Sequence, residues 1–198
     1  MILYCATTNP GKLAEFRLAA GRSGPSGLRL EVLPGLAGLP PCPETGLTFR
    51  DNAILKALHY GAYTREFLFA DDSGLAVDAL GGAPGVRSAR FAGPDAGDED
   101  NNRLLLERMR GVQDRRARFV CVVALVRSGG LVETFEGVVE GSLLVEPRGT
   151  NGFGYDPLFY YPPFQRTLAE ASPEQKLAVS HRGKALGAMF DHLSRIGA

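Results

Sequence analysis

The chain has no tryptophan, only three cysteines, and very little lysine. The cysteines (Cys5, Cys42 and Cys121) are odd in number and scattered, and two of them lie in apolar runs. That pattern excludes a disulfide framework and the CxxC spacing of a zinc, iron–sulfur or redox site. Charge of one sign is also missing: 22 basic and 22 acidic residues cancel. Nothing therefore predicts an electrostatic grip on nucleic acid or on an anionic membrane. No apolar run approaches the roughly 20 residues of a membrane span. The opening Met1–Ala6 carries no basic leader, so a cytoplasmic setting is expected. The GxxxxGK[ST] spacing of a P-loop is absent too. Repeats, low-complexity tracts and interdomain linkers are missing, and one domain over 1–198 is expected.

Lysine scarcity makes each lysine informative. Of the 22 basic residues four are lysine (Lys12, Lys56, Lys176 and Lys184) and 18 are arginine. An ammonium is a compact point charge suited to phosphate, whereas guanidinium is a planar fork. All four lysines fall in segments that stand out on other grounds.

Periodicity predicts a strand over 2–7, then a helix with Leu13, Phe16 and Ala20 on one side, and a second strand over Leu28–Leu33. A Gly/Pro-rich stretch over 34–46 leads to a helix opening at Thr48, with Asp51 placed for a capping box. Its inner stripe is Phe49, Ala53, Ile54, Ala57, Leu58 and Gly61, with Asn52 and Lys56 sharing another face. Phe67–Ala70 reads as a buried strand ending at Asp71-Asp72-Ser73-Gly74, followed by Leu75–Leu80. A helix over 98–109 precedes strands at Ala117–Val126, Leu131–Val139 and Leu143–Val145. A helix over roughly 181–196, burying Ala185, Leu186, Met189, Phe190, Leu193 and Ile196, closes the chain. Interleaved elements followed by clustered strands give a mixed α/β sheet as the expected fold class.

The sharpest chemical feature is the Asp71-Asp72 pair. Adjacent anions at a strand end repel and are costly to desolvate unless a cation or proton intervenes. Hard divalent cations take such oxygen ligands together with substrate phosphates, although a solvated turn would also hold two acids. Glu44, just before a helix start, is a further candidate ligand or simply an acid favoured by the helix dipole. Lys56 on the adjoining helix is placed to neutralise phosphate or to face solvent. Residues Thr7-Thr8-Asn9-Pro10-Gly11-Lys12 form a strand-to-helix turn able to present N–H groups, hydroxyls and an ammonium to phosphate. The last helix has Ser180 as a good N-cap, yet His181, Arg182 and Lys184 crowd its first turn against the dipole. Phe153-Gly154-Tyr155-Asp156 offers an aromatic face for stacking and a carboxylate acceptor, or else a turn with a packed aromatic ring.

In their joint order these segments (Thr8–Lys12, Glu44–Phe49, Asn52–Ala57, Ala70–Leu75, Gly81–Gly85, Gly152–Pro157 and Ser180–Gly183) resemble the inosine/xanthosine triphosphate pyrophosphatase family over nearly the whole chain. The resemblance implies an elongated, twisted mixed sheet flanked by helices, with two lobes around a central active-site cleft, and a homodimer. It implies Mg2+-dependent hydrolysis of non-standard purine nucleoside triphosphates (ITP, dITP, XTP) to the monophosphate and pyrophosphate. Carried over by position, the 7–12 turn and Ser73 hold the triphosphate, and Asp72 is general base and metal ligand, assisted by Glu44 and Asp71. Phe153, Gly154, Tyr155, Asp156, Lys176, His181 and Arg182 hold the base. The chemistry of a 6-oxopurine adds an expectation of its own: Arg182 donates to O6 and Asp156 accepts from N1–H. A pyrophosphatase for modified pyrimidine triphosphates and a non-catalytic nucleotide binder are the alternatives.

Overall fold

Seven strands form one sheet in the order β2-β1-β3-β4-β5-β6-β7 in the computed structural model, which describes residues 1–197. The strands are β1 (Ile2–Cys5), β2 (Arg29–Val32), β3 (Phe67–Val77), β4 (Arg116–Arg127), β5 (Gly130–Leu143), β6 (Phe159–Tyr161) and β7 (Arg166–Thr167). β1 pairs in parallel with β2 and β3, and every later pairing is antiparallel. The helices are α1 (Pro10–Ser23), α2 (Phe49–Gly61), α3 (Asp98–Arg108), α4 (Pro173–Val179) and α5 (His181–Arg195).

Three apolar cores surround the sheet. On one face α1 and α5 bury Phe16, Met189 and Phe190 over Leu3, Phe69 and Val123. On the other, Ala53 and Ala57 of α2 sit on Leu68, Ala70, Val122 and Ala124. The far ends of β3–β5 together with β6 build a third core, with Leu75, Phe119, Val139 and Phe159 packed against Leu105 and Met109 from the α3 segment. The cleft lies where these cores meet.

The largest correction concerns β3. It does not end at the acids but runs unbroken through them, with Asp71 opposite Val123, Asp72 opposite Val122 and Ser73 opposite Cys121. The β4 ladder satisfies the backbone there, and cations meet the two carboxylates, one on each face of the strand. Side chains alternate along a strand, so consecutive acids must part company. Gly74 permits a close approach on this strand: a Cβ there would lie 2.3 Å from Ser88 Oγ.

Other departures are smaller. Leu131–Val139 and Leu143–Val145 are not two strands; β5 is continuous to Leu143, and Val145 lies beyond it, 74% exposed. The two-residue Ser128-Gly129 turn, with φ of 51° and 77°, starts the β4–β5 hairpin, whose register shifts once, between Leu125 and Val126. Leu58 and Ile196, expected to be buried, are 37% and 49% exposed. Ile196 is the C-cap residue, just after the last helical residue of α5. The short helix α4 was not foreseen; Ser172 caps it, with Pro173 at its first position. The capping box at Thr48 and Asp51 is present as expected, at 3.1 and 3.2 Å.

Candidate active site

A cleft of about 210 Å3 runs along the seam between the cores. Its two ends differ in chemistry: acids and lysines at one, an aromatic loop and buried charges at the other.

At the first end Lys56 Nζ lies 2.7 Å from Asp72 Oδ1 and 3.4 Å from Glu44 Oε1. Two carboxylates from distant parts of the chain thus converge on one cation position. Asn52, one turn before Lys56, secures the arrangement. Its Oδ1 accepts from Gly46 N at 2.8 Å and its Nδ2 reaches Asp72 Oδ2 at 3.5 Å, tying the Glu44 loop to the strand. Burial pushes the Asp72 carboxyl up, and the Lys56 charge and hydrogen bond offset this only in part. Burial alone would lower Lys56, but Asp72, Asp71 and Glu44 outweigh it and raise it.

Asp71 faces the opposite way. Its Oδ1 accepts from Lys12 Nζ at 2.9 Å, and its Oδ2 accepts from the Ser73 hydroxyl at 3.1 Å and Arg182 Nη2 at 3.5 Å. Burial would raise this carboxyl, but Lys12, Arg182 and Lys56 outweigh it and hold Asp71 well below the usual range. Asp71 thus pairs with Lys12 and Arg182 on one face of the strand, whereas Glu44 and Asp72 both face Lys56 on the other. Among the described residues no group of three or more His, Cys, Asp or Glu side chains has metal-site spacing. Two carboxylates fit Mg2+ nonetheless, because it usually takes one or two together with phosphate and water oxygens.

The 7–12 turn starts α1 at the cleft. Asn9 caps it, its side chain accepting from Lys12 N at 2.9 Å, while Thr7 Oγ1 accepts from Asn9 N at 3.2 Å. Thr8 is exposed beside them, and Pro10 occupies the first helical turn. Gly11 has no side chain where one would collide, since a Cβ there would come within 2.6 Å of the Phe153 ring. The turn and the aromatic loop are thus in contact across the cleft.

At the second end Asp156 Oδ2 accepts from Phe153 N at 2.9 Å and from Lys176 Nζ, which folds the 153–156 loop around a buried ion pair. The Phe153 ring lies under two cations, Lys176 Nζ at 4.9 Å and Arg182 Cζ at 5.4 Å from its centroid. Asp98 at the start of α3 accepts from Gly154 N at 2.6 Å, and the Tyr155 hydroxyl donates to Ser88 O at 2.8 Å. Burial pushes the Asp156 carboxyl up against the pull of Lys176, while Asp156 and Glu15 hold Lys176 up despite its burial.

The first turn of α5 resolves its apparent conflict with the dipole. His181 is fully buried, stacked on Phe119 with centroids 4.7 Å apart. Burial, then Arg182 and Lys176, push its imidazole well below its usual value, so it is neutral rather than a third cation. Arg182 donates to Glu15 Oε2 at 2.5 Å and to the Ser73 hydroxyl at 2.8 Å. Lys184 points away, donating to Val138 O at 2.6 Å, and is the one lysine outside the cleft among the described residues.

Glu15 was missed. It bridges Lys176 at 2.6 Å and Arg182 at 2.5 Å, and both cations outweigh its burial to hold it below the usual range. Its i,i+3 spacing from Lys12 on an amphipathic helix was the available signal, since it puts both on one face. Phe119, Asp98 and Arg90 also line the cleft, and no motif pointed to them.

A cleft with lysines and a paired-acid cation position at one end, and a polar pocket under an aromatic ring at the other, is built for a molecule carrying both phosphate and a heterocycle. The chain belongs to the Ham1 family, whose model matches residues 3–192. It is 50% identical over 186 residues to the dITP/XTP pyrophosphatase of Exiguobacterium sp. (strain AT1b), covering 94% of this chain and 93% of that protein. It is 49% identical to the dITP/XTP pyrophosphatase of Acidobacterium capsulatum, covering 98% of each. The Staphylococcus aureus Ham1 protein superposes with a TM-score of 0.87 at 37% identity, over 99% of this chain and all of that one.

Proposed function

We propose that this chain is a nucleoside triphosphate pyrophosphatase that hydrolyses non-standard purine nucleoside triphosphates (ITP, dITP and XTP) to the monophosphate and pyrophosphate. The observation that carries the reading is the convergence of Glu44 and Asp72 on one cation position in a cleft that the α1 turn and the Phe153–Asp156 loop also line. Relatives about half identical to it over almost their full length are named dITP/XTP pyrophosphatases.

In this reading Asp72 is the general base. Burial has raised its carboxyl, which suits a group that must take a proton from water, and Lys56 and Asn52 hold its two oxygens in place. The water oxygen attacks the α-phosphorus, its proton passes to Asp72, and the bond to the β-phosphate oxygen breaks. Glu44 and Asp72 would hold Mg2+, which supplies charge neutralisation at the phosphates. Lys12, Lys56 and the N–H groups of the α1 turn take up further phosphate charge in a partly dry cleft. Ser73, between Asp71 and Arg182, binds the phosphate chain or orders those two side chains against it.

For the base, a 6-oxopurine offers an O6 acceptor next to an N1–H donor. Arg182 and Asp156 both line the cleft, and the protein's bonds to Asp156 fall on Oδ2, which leaves Oδ1 for the N1–H. Adenine reverses both partners, leaving buried groups unpaired at about 1–3 kcal/mol each. His181 and Phe119 close the pocket with a flat, uncharged wall.

The remaining parts of the proposal are that residues 1–198 act as one domain, that the enzyme is cytoplasmic, that Mg2+ is the resident metal, and that it works as a homodimer without nucleic-acid or membrane partners. No helix among the described residues is long and apolar enough to cross a membrane. A panel of ITP, XTP, dITP, ATP and a modified UTP, with pyrophosphate and orthophosphate assayed separately, tests the function. Pyrophosphate from the first three and little from the last two is expected. Orthophosphate release, or preference for the modified UTP, would replace the reading.

A further inference from the structure

Glu44 has a second cationic neighbour that no motif announced. Its Oε2 lies 3.5 Å from Arg90 Nη1, opposite the Lys56 contact made by Oε1. Arg90 ends the 3-10 turn Gly85–Arg90 and lines the cleft.

The backbone that carries Arg90 is fixed on both sides. Ser88 Oγ accepts from Leu75 N at 2.9 Å and donates to Gly85 O at 2.7 Å, in the space that Gly74 leaves by having no Cβ. From α3, Asn101 accepts from Ala92 N at 2.8 Å and donates to Ala89 O at 3.3 Å. The side chain, by contrast, is loosely held. It is 40% exposed, makes no hydrogen bond among the described residues, and has one long ionic contact. A contact of that kind contributes little by itself.

Every other cation lining the cleft already makes a short ion pair with a carboxylate of the protein. Lys12 is bound to Asp71, Lys56 to Asp72, Lys176 to Asp156 and Glu15, and Arg182 to Glu15. Arg90 alone among them has its guanidinium fork free of hydrogen bonds on a rigid mount. A carboxylate that engages a hard divalent cation has less charge left for a guanidinium, and the two cations repel. Phosphate oxygens match the fork better than one distant carboxylate oxygen does.

We propose that Arg90 is a phosphate-binding residue of this cleft, which leaves Glu44 on ligand binding and grips the non-bridging oxygens of the pyrophosphate portion of the substrate. The inference rests on the triphosphate-hydrolase reading given above and adds a residue to it.

The test uses inorganic pyrophosphate and metal-free protein in EDTA, with affinity read by calorimetry, so that neither turnover nor Mg2+ enters. Arg90→Gln is expected to weaken pyrophosphate binding about tenfold or more while leaving the melting temperature unchanged. Glu44→Gln, which removes the competing carboxylate, is expected to tighten binding several-fold more in the parent than in the Arg90→Gln background, where only the Lys56 contact is relieved. A change of less than threefold for Arg90→Gln, equal effects of Glu44→Gln in both backgrounds, or no measurable binding by the parent overturns the assignment. Pyrophosphate release from ITP by the parent is measured alongside. Its absence would remove the hydrolase reading, whereas its presence with an unaffected Arg90→Gln removes only this inference.

Discussion

Glu15→Gln is the change that most directly probes how the base pocket is held together. Glu15, Asp156 and Asp71 face Lys176, Arg182 and Lys12 in one connected, nearly dry network, so the charges balance as they stand. Gln keeps the shape but removes one negative charge and turns an N–H toward a cation that is itself only a donor. Removing one partner of a buried ion pair costs roughly 3–5 kcal/mol. The lower figure applies because Glu15 retains 14% side-chain exposure and Gln keeps one acceptor oxygen. At about 2–4 °C per kcal/mol for a chain of this size, a loss of about 3 kcal/mol lowers the melting temperature by roughly 6–12 °C at neutral pH. The sign with pH follows from the direction of the shift. Glu15 is held below its ordinary value of 4.5 in the folded state, so its contribution is present above that value and is lost as pH falls through the folded pKa. The gap between parent and variant should therefore narrow on acidification from pH 6 toward pH 3. Differential scanning calorimetry across that range is the assay. A melting temperature within about 2 °C of the parent at pH 7, or a gap that stays constant with pH, would refute the reasoning.

Other expectations are simpler. Asp72→Asn should lower kcat for ITP at least about 100-fold, as expected for loss of a general base, while the folded protein still binds pyrophosphate; a milder loss would place the base elsewhere. In 13C NMR titration of metal-free protein, Asp72 should titrate above its ordinary 3.8, and Lys56→Met should move it higher, since Lys56 is the main influence holding it down; an Asp72 titration at or below 3.8 contradicts this. Gly74→Ala places a methyl 2.3 Å from Ser88 Oγ and 2.6 Å from Gly85 O. An overpacking cost of about 2 kcal/mol, or ~4–8 °C in melting temperature, is expected, with weakened pyrophosphate binding as the Arg90 turn lifts.

Much of the architecture was legible in the amino-acid sequence because it rests on local signals. Apolar period, caps and turn residues placed α1, α2, α3, α5, β1, β2 and β4, and parts of β3 and β5. What was not legible depends on long-range pairing. Asp71-Asp72-Ser73-Gly74 has the composition of a turn, and only the β4 ladder together with Lys12, Arg182 and Lys56 makes it a strand interior. The same pairing separates the two acids onto opposite faces, which sequence adjacency conceals. His181 reads as a cation beside Arg182 until Phe119 and the surrounding core bury it. Glu15 and Arg90 sit in unremarkable surroundings along the chain, and their partners are 167 and 46 residues away.

The central claim is that Asp72 directs water at the α-phosphorus of a purine triphosphate. Hydrolysis of ITP in 18O-labelled water, with both products analysed by mass spectrometry, reads the attacked atom directly. The account predicts one 18O in inosine monophosphate and none in the pyrophosphate. Label in the pyrophosphate, or in released orthophosphate, would contradict it.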